Sequence, residues 1–335
     1  MKEYLRLPQQ EQLNLLKVVS GLSGLSIQAV EKDIWLCWTL NELFTIQGPV
    51  RLAFKGGTSL SKIFGAIHRF SEDVDVTLNY SDLIPDPGID PFESGISKGA
   101  LRRYSELLKN ALRTHVHEVI VPPLSASLVA IASSLGEVTA NAEGDLLLLK
   151  YPSATSPQPE IKSSAVLVEF GGRNTTLPSG PYRVETIASF HLPRGVFPSA
   201  EVMTLAPERT FWEKATLIHV ECNRQRQASP ERISRHWYDL YMLGKNEIGF
   251  RAIEDRALLE DVVRIKTAFF NASYAHYDQC LQNRFRLVPQ GSLADHLEAD
   301  YRAMIVAGMF IGEPPEFREI LDGLSVLERV INGGQ

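Results

Sequence analysis

The sequence predicts an α+β protein in which an α/β half, residues 1–205, is followed by a helical half, residues 206–335. Three observations point there. Residues 50–78 read as strand, glycine turn, helix, strand; three later runs have strand texture; and from about Pro207 the apolar residues recur at helical spacing. The length of 335 residues agrees with two domains of about 150 residues each.

Two helices open the chain. Ser26 reads as the N-cap of the second, which carries Ile27, Val30, Ile34 and Cys37 at helical spacing, is widened by Trp35 and Trp38, and ends near Phe44. After the Gly48-Pro49 break, 50–54 reads as a strand and Lys55-Gly56-Gly57-Thr58-Ser59 as a turn into a helix. That helix sets Leu60, Ile63, Phe64 and Ile67 on one face and stops at 68–70, before the alternating strand 73–78. A loop marked by Pro and Gly, 85–99, precedes a helix over 100–117. Further strands are expected at 118–121, 145–151 and 164–170, with loops at 152–159 and 171–181. In the second half Phe211, Ala215 and Ile218 mark one helix and Ile233, Trp237, Leu240 and Tyr241 another; helices over 251–279 and 293–310 follow.

With 34 Lys and Arg against 40 Asp and Glu, the net charge is −6, so no global positive field draws the chain to nucleic acid or membrane. Any phosphate-binding surface must be local. Cys37, Cys222 and Cys280 are odd in number and far apart, which argues against a disulfide framework or zinc knuckle and fits a reducing cytosol. The first residues are too polar for a signal peptide and the apolar runs too short for a span, so a cytoplasmic protein without a membrane partner is expected.

The block 55–75 carries the chemistry. Two glycines after a strand let backbone N–H groups converge at a helix start, an arrangement suited to phosphate, although it is not a Walker A loop. Asp73 and Asp75, at i and i+2 on a strand, share a face; two adjacent carboxylates repel unless a cation such as Mg²⁺ lies between them. Glu169 interrupts the apolar strand 165–170 and would complete a three-carboxylate metal cluster if that strand lies beside 73–78. It could instead pair with Arg173 or Arg183.

Lys55-Gly56-Gly57-Thr58-Ser59-Leu60, followed by Arg69-Phe70-Ser71-Glu72-Asp73-Val74-Asp75, resembles the signature of the AbiEii/AbiGii toxin family of nucleotidyltransferases, which includes the MenT toxins. Val30-Glu31-Lys32-Asp33, Thr210-Phe211-Trp212-Glu213-Lys214 and Arg235-His236-Trp237-Tyr238-Asp239-Leu240 are similar to the family in the same order. The resemblance implies a polymerase-β-like nucleotidyltransferase fold with a mixed sheet in the first half. It implies that Lys55, Gly56, Gly57, Thr58 and Ser59 hold the phosphates of an NTP and that Asp73 and Asp75 hold Mg²⁺, with Mn²⁺ as the alternative ion; Ser71, just ahead of the acids, is a further candidate contact to phosphate. Lys214 and Asp239 match the later motifs that complete the site. The lysine would offset charge on departing pyrophosphate, and Asp239 would either hold that lysine or accept a proton from the attacking hydroxyl.

The same resemblance implies a toxin of a bacterial two-gene system, with a cognate antitoxin, that adds nucleotides to an RNA such as the tRNA 3′ end. Rival readings are transfer to a small-molecule or protein hydroxyl, and a nucleotide- or RNA-binding module without catalysis. Each residue also has a plainer role: Lys214 as half of a solvated pair with Glu213, Asp239 as a capping acid in a core helix, and Arg69 and Ser71 as braces of the loop before the acids. Six Lys and Arg face three Glu between Arg209 and Trp237, and Arg102, Arg103, Lys109 and Arg113 form a second basic group. Arg224 to Arg235 is the segment expected to position an RNA end.

Overall fold

A computed structural model describes residues 3–132, 135–155, 165–192, 197–224 and 232–334. The chain divides into two compact units, the first built from Met1–Ile63, Glu72–Gly88 and Tyr104–Leu205, the second from Phe64–Ser71, Ile89–Arg103 and Ala206–Gln335.

The first unit begins with α1 (Glu3–Arg6), α2 (Gln9–Ser23) and α3 (Ile27–Thr45), then β1 (Leu52–Lys55), α4 (Gly56–Lys62), β2 (Asp73–Asn79) and α5 (Tyr80–Leu83). Helices α6 (Lys98–His115) and α7 (Val121–Ala132) precede β3 (Glu137–Ala140), β4 (Leu146–Lys150), β5 (Ala165–Asn174), β6 (Ser179–Glu185), α8 (Ile187–His191) and β7 (Ser199–Leu205). The strands form one seven-stranded sheet in the order β3-β4-β5-β2-β1-β7-β6. It is mixed: β2 is antiparallel to β1 but parallel to β5, and β1 is parallel to β7.

Alternation decides which face is core. Val74, Val76 and Leu78 of β2 and Val166 and Val168 of β5 are fully buried with Ile34, Cys37 and Trp38 of α3, whereas Asp73, Asp75, Leu167 and Glu169 point to the opposite face and are half-buried. Ser26 caps α3 as expected, accepting from the Ala29 N–H at 3.2 Å.

Residues 118–121 are helical, not a strand. A π-helical turn, Val116–Ile120, joins α6 to α7. The reason is visible in the spacing: Tyr104, Leu108, Leu112, Val116, Ile120, Leu124 and Leu128 are all buried, one every fourth residue. At 3.6 residues per turn that stripe would drift around an α-helix, and the wider π turn takes up part of the drift. By length and composition this run of 35 residues could cross a membrane; in the structure Leu112, Val116, Ile120, Leu124 and Leu128 of the stripe join the hydrophobic core along one side of the helix.

Strand β6 overlaps the expected loop 171–181. It tolerates Gly180 and Pro181 because it is the last strand in the sheet order, and an edge strand can spare an N–H. Strands β3 and β7 were also unforeseen, β5 extends to Asn174, and α4 ends at Lys62. Of the expected strand 164–170 and loop 152–159, residues 164 and 156–159 lie outside the described residues.

The second unit is helical: α9 (Pro207–Asn223), α10 (Arg235–Gly244), α11 (Glu247–Glu254), α12 (Arg256–Phe269), α13 (Tyr277–Leu281), α14 (Ser292–Val306) and α15 (Phe317–Ile331). The expected helix 251–279 is thus broken twice, first where Asp255 caps α12 through the Leu258 N–H at 2.9 Å. Trp212 and Trp237 are buried with their indole N–H groups satisfied by the carbonyls of Ala252 at 2.9 Å and Leu287 at 3.0 Å. The segment Phe64–Ser71 is fastened to this unit by backbone: the Phe70 N–H donates to Met309 O at 2.7 Å and the Ile311 N–H to His68 O at 2.9 Å.

Candidate active site

In the first unit, Asp75 stands opposite Lys55 on β1 and opposite Glu169 on β5, while Asp73 stands opposite Leu167. Residues in register on neighbouring strands share a face about 4.8 Å apart. Lys55, Asp75 and Glu169 therefore form a row across three strands, with Asp73 two residues along β2. Among the described residues no three Asp, Glu, His or Cys side chains are gathered closely enough to hold a metal ion by themselves. Arg183, one of the partners weighed for Glu169, pairs with Glu185 at 3.3 Å.

The glycine turn is shaped around Asp75. Gly56 has φ +78°, and a Cβ there would lie 2.6 Å from Asp75 Cγ, so the carboxylate fills the space a side chain would need. Thr58 and Ser59 are fully buried. Thr58 Oγ1 donates to the Asp73 carbonyl at 2.6 Å and Ser59 Oγ to the Gly56 carbonyl at 2.9 Å. Both hydroxyls thus brace the turn, the first fixing the start of β2, and no side chain of Lys55 caps the first turn of α4. What this turn offers an anion is backbone N–H groups. Ser71 is half-buried in the segment that belongs to the second unit.

Three consecutive charged residues of α3 support these elements. Glu31 accepts from Ser153 Oγ at 2.6 Å, the Ala154 N–H at 2.5 Å and Thr155 Oγ1 at 3.1 Å, and burial pushes its carboxyl up. Lys32 pairs with Glu72 at 2.7 Å, immediately before Asp73. Asp33 pairs with Lys62 at the end of α4 and accepts from the Ile187 N–H at 2.6 Å.

The second unit has its own polar centre. Asp239, fully buried, receives Arg69 in a bidentate pair at 2.7 and 2.8 Å and Lys214 Nζ at 2.8 Å. Although burial alone would raise its carboxyl, these two cations hold it well below the usual carboxylate range. A carboxylate so engaged is a poor proton acceptor, so of its two candidate roles the geometry favours holding Lys214. His236 Nδ1 lies 3.5 Å from Lys214 Nζ; burial first, then Lys214 and Arg235, push the imidazole well below its ordinary value, so it is neutral. Burial also lowers Lys214, against the pull of Asp239. Glu213, the surface partner weighed for Lys214, lies 3.4 Å from Arg209. Sequence reasoning missed Arg69 as the partner of Asp239; the available signal was an acid on an apolar helix, which requires a cation when buried.

The basic segment is less of a surface than its count suggested. Arg209 is buried against Asp261 at 2.7 Å, Lys214 is in the centre just described, and Arg224 reaches Glu221 at 3.5 Å. Arg226 lies outside the described residues. Arg102, Arg103, Lys109 and Arg113 are exposed on α6.

The family model described as nucleotidyl transferase AbiEii toxin, type IV TA system, matches residues 39–323. No curated protein matches the chain. Among solved structures, MenT4, a nucleotidyltransferase toxin from Mycobacterium tuberculosis H37Rv, is 19% identical over 93% of this chain and 98% of that one, with a TM-score of 0.45.

Proposed function

The chain belongs to the AbiEii family of nucleotidyl transferase toxins, and on that premise we propose that it is a Mg²⁺-dependent enzyme transferring nucleotides from an NTP to an RNA acceptor such as the tRNA 3′ end. The observation that carries the reading is the row Lys55, Asp75, Glu169 with Asp73 beside it, built against a glycine turn at a helix start.

The donor set suits the ion. Mg²⁺ takes hard oxygens and usually one or two carboxylates, completed by water and substrate phosphates rather than by a closed protein cage. An open row of acids fits that habit, and the missing side chain at Gly56 leaves Asp75 its place. Asp73 and Asp75 would hold the metal, and Glu169, in register with Asp75, would add a third acid only by moving closer than it stands here. When bound, the ion would neutralise charge on the phosphates and lower the pKa of the incoming hydroxyl.

The N–H groups of Gly57, Thr58 and Ser59 are read as the phosphate cradle, beside Lys55, with Ser71 as a further hydroxyl contact. Lys214, oriented by Asp239 and His236, is read as a preplaced cation for the leaving group. The acceptor oxygen bonds to the α phosphorus as the bond from that phosphorus to the β-bridging oxygen breaks, releasing pyrophosphate and a proton to solvent. Acting on tRNA, the protein would work in the cytoplasm, with a cognate antitoxin as its counterpart.

Purified protein, Mg²⁺ and each NTP in turn, with and without total tRNA, test this through pyrophosphate release. Release that requires tRNA and stops with EDTA is expected. Label on the protein itself or on a small metabolite, with tRNA unaltered for every NTP, would replace the RNA acceptor by another hydroxyl.

A further inference from the structure

On the second unit, the end of α10 with α11 and α15 encloses a groove of about 670 Å³ that the transfer reaction does not use. Its walls are apolar and open: Phe250 is 64% exposed, Val326 51% and Val330 46%. The core stripe of α15 is Phe317, Ile320, Leu324, Leu327 and Ile331, so Val326 and Val330 form a second apolar pair, four residues apart, off the core face. Gly244 and Gly323 line the groove without side chains. A Cβ at Gly323 would collide with the Tyr241 ring at 2.5 Å, and one at Gly244 would press on the end of Leu327 at 3.0 Å.

The rim is acidic. Glu319 is engaged by Tyr241 Oη at 2.5 Å and lies 3.8 Å from Lys245. Glu254 and Asp322 are exposed and have no ion-pair or hydrogen-bond partner among the described residues. An apolar floor under unbalanced carboxylates repels phosphate-bearing ligands and disfavours a second copy of this chain, whose matching face would bring like charges together. It complements an apolar surface flanked by cations. The volume is that of a site accepting a few large side chains, and the Val326/Val330 spacing matches the i, i+4 period of helical anchors.

We propose that the α11/α15 groove docks an amphipathic helix of a partner protein that inserts apolar anchors between Phe250 and Val330 and sets Lys or Arg against Glu254 and Asp322. The probe is a fluorescein-labelled synthetic 18-residue helix with Leu on one face and Lys on the other, read by anisotropy against the full-length protein. Binding to the wild type is expected to weaken about tenfold or more in Val326→Arg and in the double variant Glu254→Lys/Asp322→Lys. The same peptide with Glu for Lys should not bind. These positions are exposed, and unchanged melting temperatures confirm that the variants fold. Equal binding by wild type and Val326→Arg, or equal binding of the Glu peptide, overturns the proposal; so does a concentration-dependent dimer abolished by Val326→Arg, which assigns the groove to self-association.

Discussion

Gly56→Ala separates a carboxylate site from an ordinary turn. The added Cβ would sit 2.6 Å from Asp75 Cγ, whereas non-bonded carbons rest at about 3.5–4.0 Å, so the carboxylate has to retreat by about 1 Å. The left-handed φ of +78° adds about 1–2 kcal/mol for a residue with a Cβ. The second effect is shared by Gly24→Ala, at φ +73° with nothing within 4 Å of the new Cβ. Gly24→Ala therefore reports the backbone cost alone, and Gly56→Ala should lose at least as much stability, at roughly 2–4 °C in Tm per kcal/mol. Only Gly56→Ala should lose turnover, by about 10²-fold for a reacting group displaced by 1 Å. Pyrophosphate release at saturating NTP, with melting followed by circular dichroism, measures both. Equal turnover in the two variants would refute the assignment of Asp75 to the reacting centre.

Lys214→Ala should lower turnover by about 10²–10³-fold with a smaller loss of Tm than Asp239→Asn, because Arg69 still pairs Asp239, and Lys214→Arg should restore little because a planar fork does not replace a point charge; a Tm loss as large as that of Asp239→Asn would instead make Lys214 structural. Asp239→Asn leaves Arg69 and Lys214 buried beside a neutral amide and should cost about 3–5 kcal/mol in denaturant melts, with an unaltered midpoint as the contrary result. His219 is fully buried, Nδ1 accepting from the Arg286 N–H at 3.0 Å and Nε2 donating to His276 O at 3.2 Å, and burial lowers its pKa from 6.5 to about 4. As pH falls through 6.5 the unfolded chain takes up the proton first, so stability drops between 6.5 and about 4, by about 3 kcal/mol in all. Urea melts across that window should show the slope in the wild type and lose it in His219→Gln.

What could be read from the sequence was local. The alternation Asp73-Val74-Asp75-Val76 fixes which side chains leave the core, and the glycines before α4 announce a turn with special backbone geometry. That Asp75 and Glu169 are neighbours is a fact of topology, since β2 and β5 pair in parallel with many residues between them. The pairing of Arg69 with Asp239 spans 170 positions and leaves no periodic trace. Residues 118–121 misled because a Val/Ile run before Pro122-Pro123 has strand texture, and the every-fourth-residue stripe that makes it helical extends over seven positions from Tyr104 to Leu128. Strand β6 was hidden by Gly180 and Pro181, which are breakers in a central strand and acceptable at an edge.

The central claim is that the β2 carboxylates drive metal-dependent transfer to RNA. Its most direct test is incorporation of label from each NTP into the 3′ end of tRNA in the presence of Mg²⁺, wild type against Asp75→Asn. The account predicts extension of the 3′ end by the wild type and a loss on the order of 10³-fold or more in the variant at an unchanged fold. Near wild-type extension by Asp75→Asn would contradict it.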